Sequence, residues 1–424
     1  MIRKMKQQGY DLLRKSEKYT KTDMIELFKG GSLISFSYIY NSLLSLILLY
    51  FFANFLPIQM YGEYKYILSG IGLLTAFTLT GANTAIIRSI ANNHDGSLSV
   101  AYKKSLTYSF IFFLTSVGIS TYYFINQNTT LGSAFLVGAF LQPLFQASDV
   151  YIGFLNGKKD FINLAKYQSV RVTLSTITMI LVGYLFQSTF LLITINLASQ
   201  AIFSLFAYKA SLRRIKNRNV DPDFVKVSKH YSIANSISYI ATQLDKILLF
   251  QLLGAQQLAT YAIALIVPDQ TKGLIKNIVN PLAAPAFAKK TTNKDLYMKN
   301  ILMKTAQLLL LLVPLVVIYY FIADEVFMFL FPKYIESIEL SKILFSSIVF
   351  TAVIPKTAID SKKMIRENYI LKFSTSILKI ILVLIGVISG GLLGVVMAVF
   401  VARLITFIAT IGLFVSGMKN DNYL

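Results

Sequence analysis

"QLDKILLFQLLGAQQLATYAIALIVPDQTKGLIKN", residues 243–277, comprises parts of two apolar runs, one ending near 253 and the next beginning near 258, and carries Asp245, Lys246, Asp269, Lys272 and Lys276. Extended outward, each run is long enough to cross a hydrocarbon core of about 30 Å, for which roughly 20 apolar residues are needed. Charges at such depth are costly unless they face a wet cavity or a partner. Reading this stretch as two spanning helices therefore implies both a membrane fold and an interior that is not oil.

The rest of the 424-residue chain agrees: 55% of it is hydrophobic and only 14% charged, with a mean hydropathy of +0.60. Soluble domains carry about 25% charge. Twelve runs of spanning length are predicted, near 32–54, 64–86, 106–126, 131–154, 164–186, 189–208, 231–253, 258–286, 302–322, 338–355, 372–390 and 392–416. Helices are expected, since a β-chain could span only as a closed barrel and these runs are too long for its strands. The fold class is all-α, polytopic.

Lysine and arginine concentrate in every second connection. Arg88, Lys103 and Lys104 follow run two, Arg213, Arg214, Lys216 and Arg218 follow run six, and Lys356, Lys362, Lys363 and Arg366 follow run ten. The alternate connections hold only Lys333, with Lys65 and Lys342 just inside neighbouring runs. Under the positive-inside rule this places both termini in the cytoplasm. The net charge of +21 is then a topology signal, and no nucleic-acid partner is expected. Residues 1–29 form a basic cytoplasmic segment suited to anionic lipid. No A-x-A site follows run one, so the first span is read as uncleaved.

The longest connection, around "SLRRIKNRNVDPDF", divides the chain near its middle. We expect an N-lobe over 30–210, a cytoplasmic connection over 211–230 and a C-lobe over 231–424, two pseudo-symmetric lobes of six helices. Leu56, Gln59 and Tyr64 recur as Leu253, Gln256 and Tyr261 at a constant offset of 197, a weak trace of a repeat.

Several chemistries are excluded. With no cysteine there is no thiolate or disulfide, and His94 and His230 lack ligand spacing, so no metal site is expected. "GFLNGKK" (153–159) has the wrong spacing for a phosphate loop and follows a membrane run. No connection is large enough for a catalytic domain, so a transporter rather than an enzyme is expected. No cofactor is implied.

The candidate site is the set of ionisable residues inside the runs. Asp269, Lys272 and Lys276 lie at i, i+3, i+7 on one face of run eight. Asp269 sits about 16 Å from the outer end, beside Pro268 and Gly273, where a broken helix can line a transport site. Its alternative is an internal pair with Lys272. Arg403 lies about 17 Å inside run twelve with no acid on its own helix, so its partner is another helix or a ligand. Arg171 and Lys379 lie about 10 Å in from the cytoplasmic side and either line the cavity or snorkel. Asp149 either joins them or pairs with Arg171. Asp245 is read as a gate, an ion site or an interhelical salt bridge, and Arg88 closes run two on the inside. The cations Arg171, Lys272, Lys276, Lys379 and Arg403 outnumber the acids Asp149, Asp245 and Asp269. A cavity with that surplus attracts an anion, and arginine's planar fork suits phosphate.

Three stretches resemble polysaccharide exporters of the O-antigen flippase type, in the multidrug/oligosaccharidyl-lipid/polysaccharide exporter superfamily. They are "FLPIQMYGEYKYILSGIGLLTAFTLTGANTAIIRSIA" (55–91), "LDKILLFQLLGAQQLATYAIALIV…NPLAAPAFAKK" (244–290) and "FPKYIESIELSKIL" (331–344). Their order and spacing carry the resemblance more than any residue does. It implies two six-helix lobes about a cationic cavity, in a bacterial inner membrane. It implies flipping of a polyprenyl-pyrophosphate-linked glycan by alternating access for lipopolysaccharide or capsule. The lipid tail would stay among membrane lipids, and polymerase or chain-length proteins would be partners. It also implies coupling to a proton or sodium gradient. Asp245 fits the helix-seven acid of one sodium-site pattern, but runs eleven and twelve offer no acid to complete it. The alternatives are a multidrug or cation exporter of the same superfamily, whose cavity should favour acids and aromatics, and a membrane-embedded sugar transferase or polymerase, which needs catalytic carboxylates near a membrane surface.

Overall fold

The computed structural model describes residues 24–275, 294–351, 354–362 and 364–419, which are helices and short connections with no strand among them. In chain order the helices are α1 (Met24–Phe55), α2 (Ile58–Leu74), α3 (Ala82–Ala91), α4 (Ser97–Tyr108), α5 (Phe110–Ile125), α6 (Thr129–Ser148), α7 (Tyr151–Gly157), α8 (Phe161–Phe186) and α9 (Thr189–Leu212). There follow α10 (Phe224–Leu253), α11 (Ala255–Ala264), α12 (Lys294–Leu330), α13 (Ser337–Ser346), α14 (Ile354–Ser361) and α15 (Ile365–Lys419). Among the described residues, seven helical stretches are long and apolar enough to cross a membrane, and two further spans are bent pairs, α2 with α3 at 54° and α13 with α14 at 48°. The two runs of the opening stretch lie in α10 and in α11 with its helical continuation over 266–275.

Glycines mark the corners. Gly254 has φ +87° and ψ 178°, a conformation essentially closed to other residues, and it separates α10 from α11. At Gly390–Gly391, where φ of Gly391 is +55°, α15 folds back on itself. Its two arms then meet so closely that a Cβ on Gly394 would lie 2.0 Å from the Gly386 carbonyl oxygen. The break expected between 390 and 392 is this turn.

Apolar burial cannot drive helices together inside lipid, because hydrocarbon tails solvate leucine equally well; close packing of small residues does. Gly62 on α2 provides such a contact between halves, since a Cβ there would lie 1.9 Å from the Ala255 carbonyl oxygen. At this end of the molecule, which carries Gly254, one apolar cluster unites residues of both halves, including Phe52, Leu56, Tyr61, Leu258, Phe331 and Tyr334. Gln251 Nε2 donates to Tyr66 Oη at 2.7 Å and to Tyr123 Oη at 2.8 Å, and Asn54 Nδ2 donates to the Leu330 carbonyl at 2.9 Å. At the opposite end, which bears the basic connections, the described clusters stay apart. One gathers N-terminal-half residues around Tyr151 and Phe154 with Phe224 of α10. The other joins α12, α14 and α15 through Ile301, Ile359 and Phe414. Large apolar side chains such as Phe321, Phe329 and Ile388 face outward, as expected for a surface solvated by acyl chains.

The connection between α9 and α10 is short and docked, since α10 already begins at Phe224. The buried Asp95 carboxylate takes the Lys158 ammonium at 2.6 Å and the Lys216 N–H at 2.9 Å. Asp221 accepts from Ser89 Oγ at 2.7 Å, and its own N–H donates to Ser97 Oγ at 2.9 Å.

Candidate functional site

Two adjoining chambers occupy the middle of the molecule. One, of about 350 Å³, lies among α10, α11, the 266–275 helix, the segment after α13 and both arms of α15; its charged walls are Asp245, Lys246, Asp269, Lys272, Lys379 and Arg403. The other, of about 430 Å³, lies between the halves and is walled by α1, α2, α10 and α11, with Lys65, Lys246 and Asp269 as its charges. Lys246, Leu265 and Asp269 line both chambers. Each volume falls in the range of small-ligand sites.

Local sequence places these groups. Pro268 has no N–H for the Ala264 carbonyl, and α11 ends at Ala264 before the chain resumes as helix at 266. Asp269 follows this break. It is inside a span yet its side chain is 57% exposed, because the exposure is to the chambers. Arg403 approaches from the second arm of α15. One terminal nitrogen donates to Ser347 Oγ at 2.7 Å and to the Leu344 carbonyl at 3.3 Å; the other stands 3.5 Å from Asp269. Of the partners open to Arg403, another helix or a ligand, the protein itself supplies Leu344 of α13, Ser347 just after it and Asp269.

Asp245 is almost wholly buried. Tyr261 Oη donates to its Oδ2 at 2.9 Å, the Lys246 N–H donates to its Oδ1 at 3.0 Å, and Lys379 Nζ lies 3.3 Å from Oδ2. Lys379 also donates to the Ala241 carbonyl at 2.7 Å. Of the readings open for Asp245, the interhelical salt bridge is what forms. Lys246 Nζ donates to Gln243 Oε1 at 3.3 Å.

Three candidates fall elsewhere. Arg171 pairs with Asp149 at 3.0 Å, bonds Ser204 Oγ at 3.3 Å and covers the Phe145 ring. This is a tie among α6, α8 and α9, and neither residue lines a chamber. Arg88 is exposed in the last turn of α3, also outside both linings. Lys276 lies outside the described residues.

Two lysines replace them. Lys65, whose Nζ stands 5.3 Å from the centre of the Tyr61 ring, and Lys246 were legible only as a rim charge and as a neighbour of Asp245. In total the chambers hold Lys65, Lys246, Lys272, Lys379 and Arg403 against Asp245 and Asp269. Among the described residues no cluster of three metal-ligating side chains occurs.

A family model described as "Polysaccharide biosynthesis protein" matches residues 51–339. Several solved structures share the fold. The lipid II flippase MurJ in an inward closed conformation is 15% identical over 91% of this chain and 90% of its own, with a TM-score of 0.70. An inward-facing multidrug-resistance MATE transporter of the MOP superfamily is 16% identical over 90% of this chain and 96% of its own, with a TM-score of 0.67. A MOP-superfamily transporter from Pyrococcus furiosus, noted for the reverse polarity of its binding pocket, is 14% identical over 93% of this chain and 95% of its own, with a TM-score of 0.58. No curated protein matches the sequence. The architecture is thus the two-lobed bundle of about twelve spanning helices that these transporters share, and the resemblance read from the sequence holds.

Proposed function

The chain belongs to the polysaccharide biosynthesis protein family, and from that premise we propose that it is a flippase. It carries a polyprenyl-pyrophosphate-linked oligosaccharide from the cytoplasmic to the outer leaflet of a bacterial inner membrane, for export of a surface polysaccharide such as O-antigen or capsule. The observation that carries this reading is the excess of cations over carboxylates in the adjoining chambers. A pyrophosphate is too polar to cross hydrocarbon unaided. Ammonium and guanidinium donors replace its water shell with charge-assisted hydrogen bonds. The sugars traverse the chambers while the polyprenyl tail stays in the bilayer. The anion is held loosely enough to leave, since equal affinity in both states moves nothing.

The cluster uniting both halves at the Gly254 end, against separate clusters at the basic end, fits a state open towards the basic, cytoplasmic side. Rocking of the lobes would break the first and bring the second together. The likeness to MurJ, a lipid II flippase, supports a lipid-linked substrate for this fold. A drug-cation exporter fits less well, because both chamber acids already face cations, Asp245 bonding Lys379 and Asp269 lying near Arg403.

The test is deletion of the gene, with analysis of lipid-linked intermediates by leaflet. Intermediates are expected to accumulate on the cytoplasmic leaflet and to be cleared by the wild-type gene but not by Arg403→Ala, although that variant inserts. Unchanged surface glycan in the deletion strain contradicts the proposal, and full export by the variant removes Arg403 from it.

A further inference from the structure

The Lys379–Asp245 contact has the make-up of an occupied cation site. The ammonium sits between a carboxylate oxygen at 3.3 Å and the Ala241 carbonyl oxygen at 2.7 Å. Hydroxyls of Thr242 and Thr375 line the same chamber. Each has given its proton to its own helix, Thr242 to the Ser238 carbonyl at 2.6 Å and Thr375 to the Leu371 carbonyl at 2.6 Å. What those hydroxyls have left to offer the chamber is lone pairs. Tyr261 fixes the carboxylate from the other side through a 2.9 Å bond to Oδ2. A carboxylate, a carbonyl and acceptor hydroxyls are the oxygen ligands that hard cations take.

We propose that Asp245, the Ala241 carbonyl and the adjoining hydroxyls form a binding site for a small monovalent cation, and that Lys379 fills this site from within the chain. One carboxylate balances one positive charge. A divalent ion would add uncompensated charge to a chamber already lined by Lys246, Lys272 and Arg403. Those same cations disfavour a dissolved alkali ion, which must also surrender translational freedom to bind. A tethered ammonium surrenders none. The wild-type site is therefore closed to sodium, and removing the ammonium opens it. This goes beyond the flippase reading, and its test uses no glycolipid, so either can fail without the other.

The test is thermal melting of the purified full-length protein in sodium, potassium or choline chloride at equal ionic strength. The wild-type melting temperature is expected to be the same in all three. Lys379→Ala is expected to melt about 3 °C higher in a saturating alkali salt than in choline chloride. The Asp245→Asn, Lys379→Ala double variant should lose that response. A folded Lys379→Ala protein that does not distinguish alkali ions from choline overturns the proposal. So does an alkali-dependent rise in the wild type that Asp245→Asn abolishes, a result that needs no Lys379 variant to fold.

Discussion

Lys65 brings a positive charge of α2 into the chamber between the halves, facing Lys246 and Asp269 across it. The second apolar run looks as though it begins at Tyr64, because Gln59 and Glu63 interrupt what precedes it, so Lys65 resembles a rim charge. The helix begins at Ile58, which carries Lys65 about 10 Å along it and into the chamber between the halves. Lys246 was obscured differently: it points away from Asp245 on α10, but the two chambers flank that helix and both directions are wet. The pairings Lys379–Asp245 and Arg403–Asp269 join residues 134 positions apart in each case, as the two differences in numbering show, and no periodicity within one helix reveals them. Asp269 and Arg403, by contrast, were legible as charges too deep to reach water. At this scale we expect Lys65→Glu to weaken binding of polyprenyl pyrophosphate by more than tenfold, above ~1.4 kcal/mol, with Lys272→Glu behaving alike. Titration of the purified variants against the wild type checks this, and unchanged affinity in both would remove the lysines from the anion site.

Among the elements, α10 is bonded to both halves. Its start is bonded to the N-terminal half, with the Gly81 N–H donating to Ser232 Oγ at 2.9 Å and Ser236 Oγ donating to the Ala76 carbonyl at 2.7 Å. Further along it supplies Asp245 and Lys246 to the chambers. The docked connection before it anchors that start. Asp95→Ala would leave Lys158 without its carboxylate and free the Lys216 N–H, a loss on the order of 3 kcal/mol. A melting temperature unchanged from wild type would contradict that. At the other end Gly62 sets how closely α2 approaches α11. Gly62→Ala drives a methyl into the Ala255 carbonyl and should pry that end open. The chain has no cysteine, so a single Ser45→Cys in the chamber between the halves reports on access. It is expected to react from the basic side alone in an otherwise wild-type chain, and from both sides with Gly62→Ala. Labelling that Gly62→Ala leaves unaltered would show that this contact does not gate the chamber.

For the whole molecule, the spans among the described residues were legible because each is an apolar run of the length a bilayer demands, and a run's existence survives errors of several residues at its ends. The bends were not legible: α2–α3 reads as one straight span, and run ten stops at 355 so that most of α14 reads as part of the basic connection, since apolar pattern does not register a corner. The surplus of positive charge was legible as a sum, although two of its expected members, Arg171 and Arg88, lie elsewhere. The central claim is that the shared chambers recognise a lipid's pyrophosphate by charge. The most direct measurement is the affinity of the purified protein for polyprenyl pyrophosphate against the uncharged polyprenol of equal length, in the wild type and in a Lys65→Ala, Lys246→Ala, Lys272→Ala variant. The account predicts that the wild type binds the pyrophosphate at least tenfold more tightly than the alcohol and that the triple variant loses this preference. Equal binding of the two lipids by the wild type, or a preference that survives the three substitutions, would contradict it.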